Sequence, residues 1–187
     1  MKSIFLAISL ALLMPIFLGA DDDIGKQIKP CRDQPLYAQL DFWLGNWRVE
    51  LPDGSLAGFN RIEKILDGCA VLEHWTSSQG NQGKSLFYVL GDHWRQVWVT
   101  EQTMHPGGVK EKHQQTEYET AGIRFQGKII RNDGTSYLDR TTLTVNPDGS
   151  VRQNIEWSED QAKTWKSVFD ARYIRAGLVS KPQTDDD

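Results

Sequence analysis

The sequence has no excess of basic residues. Its 187 residues include 21 Lys and Arg against 25 Asp and Glu, which gives a formal net charge of −4. A protein that holds nucleic acid or an anionic membrane surface needs clustered positive charge to contact the phosphates. We therefore expect no nucleic-acid partner.

The sequence motifs of several common enzyme and cofactor classes are also missing. No Gly-x-Ser-x-Gly, no phosphate-binding loop and no dinucleotide fingerprint is present. The four histidines, His74, His93, His105 and His113, show neither His-x-His nor His-Glu-x-x-His spacing. We therefore expect no metal site and no cofactor.

The sequence has a single long apolar run, which lies at the N-terminus, and none after it. A basic residue precedes it, the run covers 4–18, and the small residues Gly19 and Ala20 follow. This order is typical of a secretory signal peptide, and the run is too short for a good membrane-spanning helix. We predict a signal peptide at 1–20, with an uncleaved anchor as the alternative. The cleaved protein is expected to be periplasmic or secreted, with no stable membrane insertion.

Cysteine is scarce, since only Cys31 and Cys69 occur. In the oxidising compartment that export implies, a pair of cysteines indicates one disulfide. A redox or metal site is the weaker alternative, because the spacing is not Cys-x-x-Cys and no His is close to either residue in sequence. We predict a disulfide that pins the N-terminal segment to the rest of the domain.

From residue 47 onwards, strand-like segments alternate with turn signals at a spacing of roughly 8–12 residues, which is typical of an all-β barrel or sandwich. Asp53-Gly54, Asp67-Gly68 and Asp133-Gly134 are among the turn dipeptides. A meander of hairpins favours a closed barrel, because closure removes exposed sheet edges. The predicted strands are 47–51, 56–66, 69–78, 85–90, 93–101, 109–119, 123–130, 137–145, 151–157 and 165–174.

The predicted fold is thus all-β, an antiparallel up-and-down barrel of about ten strands. A short helical segment at 36–42 precedes the first strand and is predicted to plug the barrel. No segment after residue 44 has a helical period. We predict an irregular leader at 21–35, a barrel domain at 36–176 and a flexible acidic tail at 177–187.

On several predicted strands, tryptophans and polar residues occupy the same set of alternate positions. Successive residues of a barrel strand face alternately inward and outward, so these side chains are predicted to line the lumen. An aromatic wall with a few polar groups suits a small apolar or aromatic ligand. The alternative is that the indole rings only fill the core and that the buried amide serves neighbouring backbone groups. The predicted ligand-binding residues are Asn60, Glu73, Trp75, Trp94, Gln96, Trp98 and Trp157.

The first predicted strand carries a family resemblance. Gly45-Asn46-Trp47 resembles the Gly-x-Trp opening of calycin barrels, which are the lipocalins and their relatives. A longer pattern resembles a family of uncharacterised exported bacterial proteins with lipocalin-like barrels. This resemblance covers roughly 37–175 and implies the fold and export, but no activity. Its segments are Asp41–Trp47, Asn60–Glu63, Asp67–Cys69, Glu73–Trp75 and Trp94–Trp98.

The resemblance to calycins has two further implications. In lipocalins a basic residue of the last strand packs over the Gly-x-Trp indole, which implies that Arg172 or Arg175 lies over Trp47. Nitrobindin-type barrels hold haem through a His near the C-terminus. No His follows His113 in this sequence, so haem binding of that type is not expected.

A second, local resemblance lies at Ser158–Trp165. It is similar to the Asp-box, Ser-x-Asp-x-Gly-x-Thr-Trp, a hairpin turn of sialidases and other β-proteins. Ala162 stands where the box usually has Gly. The box is structural where it is known, so the resemblance implies a turn and no glycosidase activity.

Calycin barrels also host isomerases and dehydratases, so an enzyme is the alternative function that the resemblance implies. Glu73, with Gln96 nearby on the predicted wall, is the candidate catalytic residue for acid–base chemistry on a carbonyl or similar group. Pairing of Glu73 with an internal Arg, or an outward position, would leave it structural. A third possibility is a solid barrel that acts through its surface.

Overall fold

The chain folds into strands joined by short turns. The structure, a computed structural model, describes residues 30–101, 108–118 and 121–177. The predicted signal peptide at 1–20, most of the predicted leader and nearly all of the predicted acidic tail lie outside these ranges. Within them the chain forms ten β-strands and four short 3₁₀ turns.

All ten strands belong to one closed barrel. Each strand pairs antiparallel with its neighbours in sequence, and β1 pairs with β10 to close the cylinder. The predicted all-β, ten-stranded, up-and-down barrel is therefore confirmed. The strands are β1 Gly45–Glu50, β2 Leu56–Ile65, β3 Ala70–Ser77, β4 Gln82–Leu90, β5 His93–Thr100, β6 Val109–Gln114, β7 Gly122–Ile130, β8 Ser136–Val145, β9 Val151–Ser158 and β10 Lys166–Arg175.

Three hairpin turns share one local device, in which an Asp carboxylate accepts a hydrogen bond from the backbone N–H two residues later. A glycine with positive φ lies between the two residues, where a side chain would be strained. These short, self-contained turns explain why the hairpins are readable in the sequence. The pairs are Asp53 with Ser55, Asp133 with Thr135, and Asp148 with Ser150.

Two predicted strand boundaries differ from the structure by three or more residues. Gln82 and Gly83 were expected in a loop, but they pair with β3 and β5 and extend β4 at its start. The predicted strand 109–119 ends already at Gln114. Both segments lack the alternation of apolar residues on which the sequence pattern depends.

Three 3₁₀ turns, Cys31–Asp33, Pro35–Ala38 and Asp41–Trp43, precede the barrel. They supply the short helical plug that was predicted, and Leu40 and Trp43 from this segment are fully buried. None of the helical segments in the described ranges is long and apolar enough to cross a membrane. We call the end of the barrel at which β1 begins the plugged end, and the opposite end the far end.

The predicted disulfide between Cys31 and Cys69 is present. Cys31 opens the first 3₁₀ turn and Cys69 directly precedes β3, so the bond ties the plug to the barrel wall. The bonded residues are 38 positions apart. Closing such a loop stabilises a fold by about 4 kcal/mol by the chain-entropy argument. A disulfide also fits an extracellular or periplasmic protein.

The apolar core lies in the plugged half of the barrel. Its side chains come from the plug and from the strand positions nearest to it, and they contact one another edge to face. The Trp43 ring lies 5.7 Å from Phe87 and 5.9 Å from Tyr173, centroid to centroid. Further buried members of this core are Leu40, Trp47, Val49, Ile62, Val71, Trp94, Ile123, Phe125, Leu143, Val151 and Ala171.

Candidate functional site

The other half of the barrel is hollow. A cavity of about 310 Å³ extends from the middle of the barrel towards the far end. Its volume is at the lower limit of the range of roughly 300–1,000 Å³ that small-molecule sites occupy. The described residues that line it are Glu73, Trp75, Gln96, Trp98, Lys110, Lys112, Thr141, Gln153, Ile155, Trp157, Val168, Phe169 and Tyr173.

Two of the cavity's indole rings lie flat against the sheet because the neighbouring strands carry glycine. A Cβ atom built on Gly83 would stand 2.3 Å from the Trp98 ring, and one on Gly58 would stand 2.2 Å from the Thr76 backbone oxygen and 2.8 Å from the Trp75 ring. Any other residue at Gly83 would therefore force the Trp98 indole into the cavity. Gly83 thus leaves the Trp98 indole room beside the wall, so that the ring does not fill the lumen.

A hydrogen-bonded polar network forms the inner side of the cavity around Glu73. Asn60 Nδ2 donates to Glu73 Oε1 at 2.7 Å, and Ser85 Oγ donates to Glu73 Oε2 at 2.5 Å. Gln96 Nε2 donates to Ser85 Oγ at 3.1 Å, which links the amide to the carboxyl group. Asn60 Nδ2 also donates to the Tyr173 hydroxyl at 3.3 Å, and that hydroxyl in turn donates to Gln153 Oε1 at 2.7 Å.

The environment of Glu73 favours its neutral form. Burial raises its pKa, and the hydrogen bonds from Ser85 and Asn60 and the charge of Lys112 oppose the shift without cancelling it. No arginine contacts Glu73 in the described part of the chain. The arrangement that would have made Glu73 purely structural, an ion pair with an internal Arg, is therefore not the one observed.

A second cluster, of charged groups, lies on the cavity wall formed by β6 and β8. The carboxylate of Asp139 is fully buried between two lysines, Lys110 and Lys112. Lys110 Nζ lies 2.6 Å from Asp139 Oδ2, and Lys112 contacts the other oxygen. Lys112 Nζ also donates to Thr141 Oγ1 at 2.6 Å, and Trp157 Nε1 donates to Asp139 Oδ2 at 3.0 Å.

The pKa values in this cluster reflect burial and the shared counter-ion. Burial lowers the pKa of Lys112 to about 8, Lys110 adds to the shift, and Asp139 partly offsets it. Burial alone would raise the pKa of Asp139, but the two lysines outweigh it, so the pKa of Asp139 is lowered. The cluster therefore holds one firmly ionised carboxylate and two ammonium groups in a poorly hydrated place.

Most of the predicted site residues meet at this cavity. Glu73, Trp75, Gln96, Trp98 and Trp157 all line it, as their strand parity indicated. Asn60 is one step behind the wall, where it is buried and holds the Glu73 carboxyl group.

Trp94 lies apart from the other predicted residues. It has the predicted inward parity, but it lies at the plugged end and does not reach the cavity. Its Nε1 donates to the backbone oxygen of Leu36 at 2.9 Å, and its ring packs 6.0 Å from Tyr37, centroid to centroid. The reason is position along β5, since the plug covers the first inward residue of that strand.

The charged cluster was missed at the level of sequence. Lys110 and Lys112 belong to the predicted strand with the most polar pattern, which hides their inward parity. Asp139 and Thr141 lie on the inward parity of β8, between the buried apolar residues Tyr137 and Leu143. The signal available in the sequence was Asp139, a charged residue among alternate positions of β8 that also carry Tyr137 and Leu143.

Two expectations from the calycin and Asp-box resemblances can be followed in the structure. Arg175, and not Arg172, lies over the Trp47 ring at 4.5 Å, and its Nη1 donates to the Leu44 backbone oxygen at 3.0 Å. Arg172 instead pairs with Asp148 on the surface.

At the Asp-box-like segment, Ser158–Trp165, a turn joins β9 to β10 at the far end. Asp160 accepts hydrogen bonds from Ser158 Oγ and from the backbone N–H of Thr164, at 2.8 and 2.9 Å. These contacts hold the turn together from within, which is a structural role. Ala162, at the position of the usual Gly, adopts φ of 69°.

No protein-family model matches this chain, and no curated protein matches it. The resemblance to exported lipocalin-like proteins therefore depends on the residue patterns alone. Among the described residues, no group of three or more His, Cys, Asp or Glu could hold a metal ion. Function has to be argued from the cavity itself.

Proposed function

We propose that this protein is an exported, lipocalin-like binder that holds a small, mostly apolar or aromatic molecule in the barrel cavity. The observation that carries the proposal is the cavity itself, which stays open although three tryptophans stand on its wall. Trp75, Trp98 and Trp157 line its wall, and flat indole surfaces suit apolar and aromatic ligands.

The size of the cavity limits the ligand to a compact molecule. Its volume of about 310 Å³ is roughly ten times the share of one water molecule in the liquid. One or two fused rings, or a medium-length acyl chain folded on itself, fit such a space. A large tetrapyrrole does not.

One polar group on the cavity wall is available to orient the ligand. Gln96 is 5% exposed, and its Oε1 has no hydrogen-bond partner in the described part of the chain. A buried acceptor without a partner carries a desolvation cost of about 1–3 kcal/mol, which a ligand donor can remove. Ligands with an O–H or N–H group are therefore favoured over plain hydrocarbons.

Titration calorimetry tests the proposal. The mature protein is titrated with 2-naphthalenemethanol and with 1-decanol, and saturable one-to-one binding of at least one is expected. Ile155→Trp, which places a large side chain in the cavity, should abolish the binding, whereas Ile130→Trp on the exposed outer face of β7 should not. Absence of binding by both compounds, or equal binding by the Ile155→Trp variant, would contradict the proposal.

Export can be tested separately. The full chain is produced in a bacterial host, and the N-terminus of the protein from the periplasm is determined by mass spectrometry. We expect it to begin at Asp21, after the predicted signal peptide. Retention of residues 1–20 on the protein, or its confinement to the cytoplasm, would refute export by this signal.

An enzyme that uses Glu73 is the second candidate. Glu73 lies on the cavity wall with Gln96, and no arginine within the described ranges contacts it. Burial raises its pKa, which makes the carboxylate a stronger base than an exposed Glu and suits it to exchange a proton with a bound carbonyl compound. Hydrogen–deuterium exchange next to the carbonyl of 2-acetylnaphthalene, followed by NMR, should then be faster with the wild type than with Glu73→Gln. Equal rates would leave binding as the function. The third possibility, a solid barrel, is disfavoured by the cavity.

A further inference from the structure

We propose that the natural ligand carries one carboxylate, which is received by the wall of Lys110 and Lys112. This inference rests on the proposed binding function and adds the chemical class of the ligand. It starts from the charges that face the cavity, and it concerns the same site.

The first step is a charge count on that wall. Two ammonium groups, Lys110 and Lys112, share one carboxylate, Asp139, so the cluster has a surplus of one positive charge. The side chains are 13%, 3% and 0% exposed, respectively, so water screens this surplus poorly. An unbalanced charge in such a place is costly unless an anion accompanies it.

The second step asks whether the described residues supply that anion. Glu73 is the only other carboxyl group among the cavity-lining residues, and its oxygens are hydrogen-bonded to Asn60 and Ser85 with no lysine in contact. Lys112 attracts the Glu73 carboxyl group only through space, and burial outweighs this attraction, so the pKa of Glu73 is raised.

The remaining strands around the cluster add no negative charge to the interior. The inward positions of β5 and β9 carry Gln96 and Gln153, and the inward side chains of β7 are apolar. The other titratable groups are the hydroxyls of Tyr137 and Tyr173, whose pKa values burial raises further from neutrality. Glu156 of β9 pairs with Arg140. Among the described residues the surplus therefore has no counter-ion in direct contact.

The third step is the availability of donors. An ammonium group has three N–H donors, and the contacts of Lys112 with Asp139 and Thr141 use two of them. A ligand carboxylate can take the third and balance the charge, while its apolar part lies along Ile155 and Trp98. Charge-assisted hydrogen bonds of this kind are about twice as strong as neutral ones.

The test compares each acid with its own alcohol at low salt and pH 7 by titration calorimetry. The two pairs are 2-naphthoate with 2-naphthalenemethanol, and decanoate with 1-decanol, which distinguish an aromatic acid from a fatty acid. We expect at least one acid to bind about tenfold or more tightly than its alcohol, as one charge-assisted hydrogen bond permits. No preference for the acid in either pair would overturn the inference.

Three variants locate the preference. Lys112→Met and Lys110→Met each leave Asp139 with one lysine, so the cluster stays paired, and each should reduce the preference to about twofold or less. Lys128→Met removes an exposed lysine from the outer face of β7 and should leave it unchanged. A preference that survives both inner variants, or that Lys128→Met removes equally, would overturn the inference.

The pH dependence gives an independent readout. The pKa of Lys112 is lowered to about 8, so its positive charge is lost as the pH rises through that value. The affinity for the acid should therefore fall above about pH 8, whereas the affinity for the alcohol should stay level. A flat profile for the acid up to pH 10 would contradict the assignment to Lys112.

The result also separates the two proposals. If neither acids nor alcohols bind, the proposed function fails. If the alcohols bind, Ile155→Trp abolishes that binding and the acids show no advantage, the proposed function stands and the carboxylate inference fails.

Discussion

The plugged end and the far end of the barrel are built on the same ten strands, but one interior is solid and the other is hollow. Trp94 and Trp98 of β5 show the contrast most directly, since both point inward from one strand. Trp94 is fully buried and held by the Leu36 backbone oxygen, whereas Trp98 borders the cavity and lies over Gly83.

The comparison shows that residue type and strand parity do not decide whether an inward tryptophan fills a core or lines a site. What decides is the group against which the ring packs. Trp94 packs against Tyr37 from the plug, whereas Trp98 lies over Gly83 of the neighbouring strand β4. Stability should therefore depend on the plugged end and binding on the far end.

The largest effect that we predict tests this division directly. Trp43→Ala should lower the free energy of unfolding by about 3–5 kcal/mol, because the ring is fully buried against Phe87 and Tyr173. Trp98→Ala should lower it by roughly 1–2 kcal/mol, because that ring borders a cavity and is only partly buried. Urea denaturation followed by circular dichroism measures both. Equal losses would mean that the two ends are packed alike.

The disulfide provides the next largest test. Replacing both Cys31 and Cys69 by Ser should lower the free energy of unfolding by about 2–4 kcal/mol, because the plug is no longer tied to the wall. The wild type in reducing buffer should show the same loss. Ligand affinity at the far end, measured well below the unfolding transition, should be unchanged. A large loss of affinity would show that the plug also shapes the cavity.

Arg175 sharpens the comparison at the plugged end. Arg175→Met should lower the free energy of unfolding by about 1–2 kcal/mol, since it removes the cation–π contact with Trp47 and the hydrogen bond to the Leu44 backbone oxygen. Arg172→Met is the matched control on the same strand. It should leave stability nearly unchanged, because exposed ion pairs contribute little. The order of the two variants in thermal denaturation is the readout, and a reversed order would refute the assignment of Arg175.

The smallest effect concerns the far end and has the opposite sign. Ala162 has φ of 69°, in the left-handed region that costs about 1–2 kcal/mol for a residue with a Cβ atom. Ala162→Gly should therefore raise the free energy of unfolding by about 0.5–1 kcal/mol, after the larger entropy of Gly in the unfolded chain is deducted. Thermal unfolding measures the change, and a loss of stability would show that the turn is not strained.

Much of the fold was predictable because its signals are local. Turn residues such as Asp53 and Asp133 hold their own hairpins, and period-two alternation marks the inner face of strands such as β3. The disulfide followed from the compartment that the N-terminal segment indicates. These inferences need no knowledge of which residues meet across the barrel.

The candidate site was predictable only in part, because its geometry depends on contacts between residues that are distant in sequence. Lys110 and Lys112 face inward since Asp139 neutralises part of their charge, and that partner lies on β8, two strands further along the chain. Trp94 is buried in the core because the plug covers it, and Trp98 lines the cavity because its ring lies over Gly83. Neither relation can be read from the neighbouring residues in the sequence.

The pairing of β1 with β10 also has a consequence for how the molecule is made. These two strands meet through four residue pairs, from Trp47 with Arg175 to Glu50 with Arg172. The barrel cannot close until β10 has been synthesised and has paired with β1. Every earlier folding intermediate therefore has two strand edges without a partner strand. Contacts so distant in sequence form slowly. A newly made chain therefore exposes these edges, and needs protection from self-association, until β10 has paired.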